Sequence, residues 1–241
     1  MNNIHFFGLS EKGLRDSNED AYCSERIGRY YVFAVADGLG GHAAGEVASG
    51  IAIECVREAF RSNVTDPAKS LENAVINADA RIRTQAELNE ELLGMATTLI
   101  AACVDDKLNC IMINVGDSRG HLLSPDGTEV TKDHGYVQEL LDAGAISADE
   151  AWHHPLSNVL RQALGDPDGT IKPDFYTACL KDTYLLLSSD GLHDYVRIGR
   201  IREIISVNGE NLKKSCEGLV AAALENDSND NVTVVLVHAH K

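Results

Sequence analysis

Four aspartates stand where apolar runs begin or end. "VFAVA" ends in Asp37, "IMINVG" in Asp117 and "LLLSS" in Asp190, while "VTVVLV" begins just after Asp230 and Asn231. If these runs are antiparallel strands, the exit of one lies beside the entrance of its neighbour, and the four carboxylates can converge at one edge. Carboxylates packed that closely repel and raise one another's pKa. Divalent cations relieve the repulsion, and hard oxygen donors suit Mg²⁺ or Mn²⁺ rather than zinc. One Asp–Gly pair after a strand is an ordinary turn. Two of them, Asp37–Gly38 and Asp190–Gly191, with "GDSR" and "NDN" besides, make a metal site the better account.

The stretch "AVADGLGGHAAGE" (34–46) admits a second chemistry. Gly38, Gly40 and Ala43 can be set on a dinucleotide fingerprint. Asp37, however, occupies the point where a strand should hand over to a phosphate loop. Glu58 lies at about the 20-residue spacing of a ribose carboxylate, but inside a helical pattern rather than at a strand end.

The elements that must position these groups are legible in outline. "IHFFGLS" (4–10) and "YYVFAVA" (30–36) are aromatic and β-branched and predict strands. Apolar residues at helical spacing from 43 to 61 predict a helix, and Asp66 with Pro67 opens a second. "TTLIAACVD", "LNCIMINVG" and "RGHLLS" read as strands, and "SPDG" (124–127) as a turn. "GYVQELLDA" is a short helix stopped by Gly144, and "SADE" (147–150) is a capping box. "FYTACL" and "TYLLLSS" are strands joined by a tight turn at Lys181–Asp182. Helices around 198–207 and 211–226 follow, and "NVTVVLVHA" closes the chain as a strand. Short turns between strands and helices in adjacent pairs predict an α+β fold: two antiparallel sheets, flanked by helix pairs, in a four-layer α-β-β-α sandwich. Strict strand–helix alternation, which a parallel dinucleotide-binding sheet needs, is missing.

A chain of 241 residues without repeat or linker is expected to form a single domain. Its formal net charge of −16 repels a phosphate backbone, so no nucleic-acid partner is expected. The six cysteines include no C-x-x-C pair and lie mostly in apolar runs, as reduced core thiols do. No apolar run reaches bilayer length and the start lacks a secretion signal, so a cytoplasmic protein without membrane contact is expected.

Six motifs in order, "GLRDSNED", "VADGLGGHAAGEVAS", "INVGDSR", "HPLSNVLRQALG", "LLLSSDGLHD" and "SNDNVTVVLV", resemble those of the metal-dependent serine/threonine protein phosphatases of the PP2C (PPM) family, bacterial stand-alone type. The resemblance spans essentially the whole chain. It implies a β-sandwich flanked by helices and a two-metal centre, with hydrolysis of phosphoserine and phosphothreonine by a water or hydroxide bridging the metals. Asp37 matches the bridging carboxylate and the Gly38 carbonyl a ligand of the second metal. Asp190 and Asp230 match ligands of the first, and Glu19 the acidic residue near the second. Asp20 and Asn231 fall behind these ligands. Asp117 matches the residue that, with Asp190, holds a third, weaker ion. Arg15 matches the arginine that grips the substrate phosphate; its alternative is a surface pair with Asp16 or Glu19. His42 is either the general acid for the leaving alkoxide or a polar cap.

The resemblance also implies Mn²⁺ or Mg²⁺ as cofactor and proteins phosphorylated by a Ser/Thr kinase as partners. A monomer is expected, and a flap at about 133–161, which departs from the core motifs, is expected to bear on substrate choice because loops carry specificity. His153–His154 in that flap looks like a metal pair, but adjacent side chains seldom face one ion. "DSNDN" (227–231) lacks the central Gly and final Glu of an EF-hand loop. The competing reading is a metal-binding pseudophosphatase acting as an interaction module, which would not need the full set of aspartates.

Overall fold

The computed structural model describes residues 3–40, 43–61, 63–167 and 169–240. One sheet joins β1 (Asn3–Glu11), β12 (Val232–His240), β11 (Tyr184–Ser188), β8 (Arg119–Ser124) and β9 (Gly127–Val130), in that order. The other joins β10 (Asp174–Cys179), β7 (Asn109–Val115), β6 (Leu99–Val104), β3 (Tyr30–Ala36) and β2 (Ala21–Ile27). Every pairing in both sheets is antiparallel. A two-stranded ribbon of β4 (Gly38–Leu39) and β5 (Ala96–Thr97) sits beyond the end of β3.

The central strands are apolar on both faces because both faces are covered. In β3, Phe33 and Val35 enter a core with Leu185, Leu187, Val235 and Val237 of the other sheet. Val32, Ala34 and Ala36 face the opposite way, onto α1 (Ala43–Arg61) and α2 (Pro67–Leu88). The same alternation puts Leu186, Val234 and Leu236 against α6 (Ile198–Asn208) and α7 (Leu212–Glu225). Side chains that point alternately to opposite faces thus build three apolar layers between four layers of structure, the expected sandwich.

Asp66 caps α2 by accepting from the Lys69 amide at 3.1 Å, and Ser147 with Glu150 closes the capping box of α4 (Ala148–Trp152). Three features depart from the expectation. The edge strands β2 and β9 were not foreseen, because β2 buries only Cys23 and β9 only skirts the core. "FYTACL" and "TYLLLSS" do not pair: β10 belongs to one sheet and β11 to the other. Buried Leu180 anchors the crossing by donating its amide to the Leu108 carbonyl, and Asp182 turns at φ 55°. Five cysteines are buried, whereas Cys179, on edge strand β10, is exposed.

Between β9 and β10 the chain leaves the sandwich to form α3 (Tyr136–Asp142) and α4. The excursion is closed at its base by Arg161 N–H to His134 O (2.8 Å) and Tyr136 N–H to Val159 O (2.9 Å). Among the described residues, no helix is long and apolar enough to cross a membrane.

Candidate metal centre

Asp37 leaves the end of β3 under tight main-chain control. Its amide donates to Thr98 Oγ1 (3.0 Å), and its carbonyl accepts from the Thr98 amide (2.9 Å) and Thr97 Oγ1 (2.8 Å). Thr98 Oγ1 also meets Ser118 Oγ at 2.7 Å, beside Asp117. Gly38 allows the next step: a Cβ there would collide with the carbonyl oxygens of Gly45 and Glu19. Only a residue without a side chain lets these three segments meet. A Cβ on Gly45 would likewise strike the Glu19 carboxylate, which sits against the start of α1.

Asp190 opens the one-turn helix α5 (Asp190–His193) at the end of β11. Ser189 before it donates to Asp20 Oδ2 (2.7 Å) and accepts from the Thr233 amide (3.0 Å). Asp230 precedes β12; its Oδ1 accepts from the Asn231 amide (2.8 Å) and its Oδ2 from Arg15 Nη2 (2.8 Å). Asn231 is buried and fully used. It donates to the Lys12 and Ser17 carbonyls (3.0 and 2.9 Å) and accepts from the Glu19 amide (2.8 Å). It thereby fastens the loop that carries Arg15 and Glu19 to the start of β12. Arg15 pairs with Asp230 and the Asn229 carbonyl (2.8 Å), not with Asp16 or Glu19.

These segments enclose a cavity of about 360 Å³ lined by Arg15, Glu19, Asp37, Gly38, Asp190 and Asp230. Asp190 also lines a second cavity of about 470 Å³, which Asp117 and Asp194 share beneath α3 and α4. Asp37 stands between Asp20 and Asp190, within hydrogen-bond reach of each. Burial, then Asp20, Asp190 and Asp117, push the Asp37 carboxyl well above the carboxylate range. Burial, then Asp117, Asp230 and Asp194, do the same to Asp190. Asp117 is pushed up to about 7, by burial and then Asp133 and Asp194. Asp20 is raised to about 6, chiefly by burial. Asp20 Oδ1 and Asp190 Oδ1 are buried without a partner.

Unpartnered buried oxygens within a row of mutually repelling carboxyls fit hard divalent cations, which remove the repulsion and take oxygen donors. Among the described residues, no three His, Cys, Asp or Glu side chains already close into a coordination shell. The donors line the cavity, and Arg15 occupies one oxygen of Asp230.

Several residues that shape the site escape sequence reasoning. Thr97, Thr98, Ser118 and Ser189 read as strand or turn filler, yet they hold the ligand-bearing backbone. Arg119 grips Asp133 with two bonds (2.9 and 2.6 Å) rather than pairing with Asp117. Ser188, His121 and His193 form a buried chain, with Ser188 Oγ 2.9 Å from His193 Nδ1 and 3.4 Å from His121 Nε2. The His193 ring also meets the Asp117 backbone, tying α5 to the end of β7. Burial lowers the pKa of both rings, His121 to about 3, so both are neutral. The sequence signal was a single histidine, His121, beside the apolar pair of "RGHLLS". His42 lies outside the described residues. His153 and His154 sit at the end of α4, where His154 Nδ1 accepts from the Leu156 amide.

Residues 10–203 match the family model described as protein phosphatase 2C. The serine/threonine phosphatase stp of Listeria innocua is 35% identical over 233 residues, covering 93% of this chain and 91% of its own length. The crystal structure of serine/threonine phosphatase Stp1 from Staphylococcus aureus superposes with a TM-score of 0.90 at 33% identity, over 100% of this chain and 96% of that one. The catalytic domain of the phosphatase PstP, solved in complex with 2 manganese ions, superposes with a TM-score of 0.88 at 31% identity over 100% of both chains.

Proposed function

The chain belongs to the protein phosphatase 2C family, and on that premise we propose how its residues hydrolyse phosphoserine and phosphothreonine in proteins. The observation that carries the reading is the row Asp20–Asp37–Asp190, with its unpartnered oxygens, whose Asp37 and Asp190 line a cavity that also holds Arg15. Asp37, Asp190 and Asp230, with the Gly38 carbonyl and Glu19, would hold two Mn²⁺ or Mg²⁺ ions; Asp117 and Asp190 would hold a third, weaker one. Bound there, such cations neutralise phosphate charge and acidify a water.

The protein's own contribution is positional. Thr97 and Thr98 fix the Asp37 backbone, Asn231 fixes the loop of Glu19 and Arg15, and Asp20, held by Ser189, backs Asp37. Arg15 offers a planar fork to two phosphate oxygens. Water attacks phosphorus in line, the bond to the seryl or threonyl oxygen breaks, and that oxygen takes up a proton, for which His42 is the candidate donor. No observation favours the pseudophosphatase reading, since every acidic residue the chemistry needs faces the cavities.

On this reading the chain is one domain over 1–241 with a flap at 133–161, its substrates are products of a Ser/Thr kinase, and its free, mostly buried thiols suit the cytoplasm. The test is Mn²⁺- or Mg²⁺-dependent phosphate release from phosphothreonine peptides and p-nitrophenyl phosphate, abolished by chelation. Folded protein that stays inactive with both metals would overturn it.

A further inference from the structure

The Arg15 side chain is 55% exposed, so packing does not set the direction of its guanidinium. Bonds do so instead. Its Nε donates to the Asn229 carbonyl and its Nη2 to Asp230 Oδ2, both at 2.8 Å. Nε and Nη2 share one edge of the planar guanidinium, and that edge is spent on two successive residues of the loop before β12. The other edge, closed by Nη1, is left to a phosphate, whose oxygens suit a two-pronged donor.

The plane of the fork therefore depends on where the Asn229 carbonyl stands. The segment from Asn226 to Asp230 is laid along α5 and the turn that follows it. Asn226 Nδ2 donates to the Tyr195 carbonyl (2.9 Å), Ser228 Oγ donates to the Gly191 carbonyl (3.0 Å), and the Tyr195 phenol donates to Asn229 Oδ1 (2.7 Å). Burial raises the pKa of the phenol, and the Asn229 main-chain amide, which faces the phenol oxygen, opposes that rise. Tyr195 thus meets Asn229 at both its side chain and its main chain.

The first two bonds already fasten the loop to the fold, and the Ser228 bond is buried. The bond from the phenol to Asn229 is exposed, so water would satisfy both groups in its absence and it adds little to stability. What it fixes is the one residue whose carbonyl carries Arg15 Nε. A long side chain with free rotamers needs such fixing to hold its fork in one plane.

We propose that Tyr195 is a positioning residue for phosphate recognition: through Asn229 it holds one edge of the Arg15 guanidinium, so that the opposite edge meets the substrate phosphate. The proposal rests on the phosphatase reading above and adds to it the group that aims Arg15.

The test uses Tyr195→Phe, which removes the hydroxyl and keeps the ring, and Asn229→Ala, which removes the other half of the same bond and keeps the carbonyl that holds Nε. With saturating Mn²⁺, KM for p-nitrophenyl phosphate should rise about fivefold in both variants while kcat stays within about twofold. The Kd of inorganic phosphate, read by calorimetry on the Mn²⁺-loaded protein, should rise with KM. Mn²⁺ affinity and Tm should match those of the unmodified protein. In an Arg15→Ala background, Tyr195→Phe should change KM no further, because the phenol acts only through Arg15. Unchanged KM and phosphate affinity in both variants would overturn the proposal. A rise in KM that persists in the Arg15→Ala background would overturn it too, by giving the phenol a phosphate contact of its own. So would a fall in Tm and Mn²⁺ affinity without a selective loss of phosphate binding, which would leave Tyr195 a structural residue. Absence of turnover in the unmodified protein with either metal would strike the phosphatase reading itself, and the proposal with it.

Discussion

Thr98→Val tests whether the backbone clamp on Asp37 serves catalysis or only the fold. Valine matches threonine in shape but removes Oγ1, which accepts from the Asp37 amide at 3.0 Å and meets Ser118 Oγ at 2.7 Å. The Asp37 amide then has no acceptor in a part-buried position, and Ser118 loses one partner. An unsatisfied buried group costs about 1–3 kcal/mol; with a second group that can rotate to compensate, the sum is about 2–3 kcal/mol. For a chain of this size that lowers Tm by roughly 5–10 °C. The Thr98 amide and Thr97 Oγ1 still hold the Asp37 carbonyl, so the strand end stays while the carboxylate loses its set direction. Mn²⁺ affinity by calorimetry and kcat on an aryl phosphate should both fall about tenfold or more, because small misplacements of positioned groups are costly. Thr98→Ser restores Oγ1 and should recover both, despite losing a methyl group. A Thr98→Val protein with lowered Tm but ordinary metal affinity and kcat would refute the reasoning and leave Thr98 a structural residue.

Arg15→Ala should leave metal binding intact and reduce kcat/KM about 10–100-fold, the loss of a charge-assisted phosphate contact; unchanged steady-state kinetics would return Arg15 to its pair with Asp230. In metal-free protein, the carboxyls of Asp20 and Asp117, raised from 3.8 to about 6 and about 7, give stability that is full below pH 3.8 and lost as pH rises through those values. Tm of chelated protein should therefore fall from pH 5 to 8, and Mn²⁺ should stabilise more at the upper end, both read by thermal melts with and without the ion. His121 runs the other way: lowered from 6.5 to about 3, it gives stability that is full above pH 6.5 and lost as pH falls toward 3, by about 1.4 kcal/mol per unit. Holoprotein melts from pH 7 to 4 should show at least this slope, since His193 is lowered in the same direction, and His121→Gln should reduce it.

Where a strand is apolar on both faces, its sequence is a continuous run with no rival explanation, and β3, β11 and β12 were legible for that reason. The helix starts were legible through chemistry that acts locally, as at Asp66 and Ser147. Edge strands lack both signals: β2 carries Ser24, Glu25 and Arg26 because one flank and much of one face meet solvent. The error at β10 and β11 has a different source. A two-residue turn between strands looks the same whether the chain pairs with itself or steps to the facing sheet. The choice was made by Leu180, whose burial between the sheets is a tertiary fact.

The site divides along the same line. The aspartates could be read because a carboxylate at the end of a buried run conflicts with its surroundings, and function is the ready explanation for such a conflict. The threonines and serines that aim them create no conflict, since Thr and Ser suit strands and turns anyway. What no single run could reveal is that Asp37 and Asp117 end strands of one sheet while Asp190 and Asp230 flank strands of the other. The site exists only where the two sheets meet, and its carboxylates push them apart. The opposing force lies directly behind, in the fully buried Phe33, Val35, Leu187 and Val235, and in bonds that cross the seam, from Ser189 to Asp20 and from the Glu19 amide to Asn231. A cation placed among these carboxylates turns their repulsion into attraction across that seam. On the proposed reading, metal binding would therefore stabilise the closed sandwich, and a more tightly closed sandwich would bind metal better.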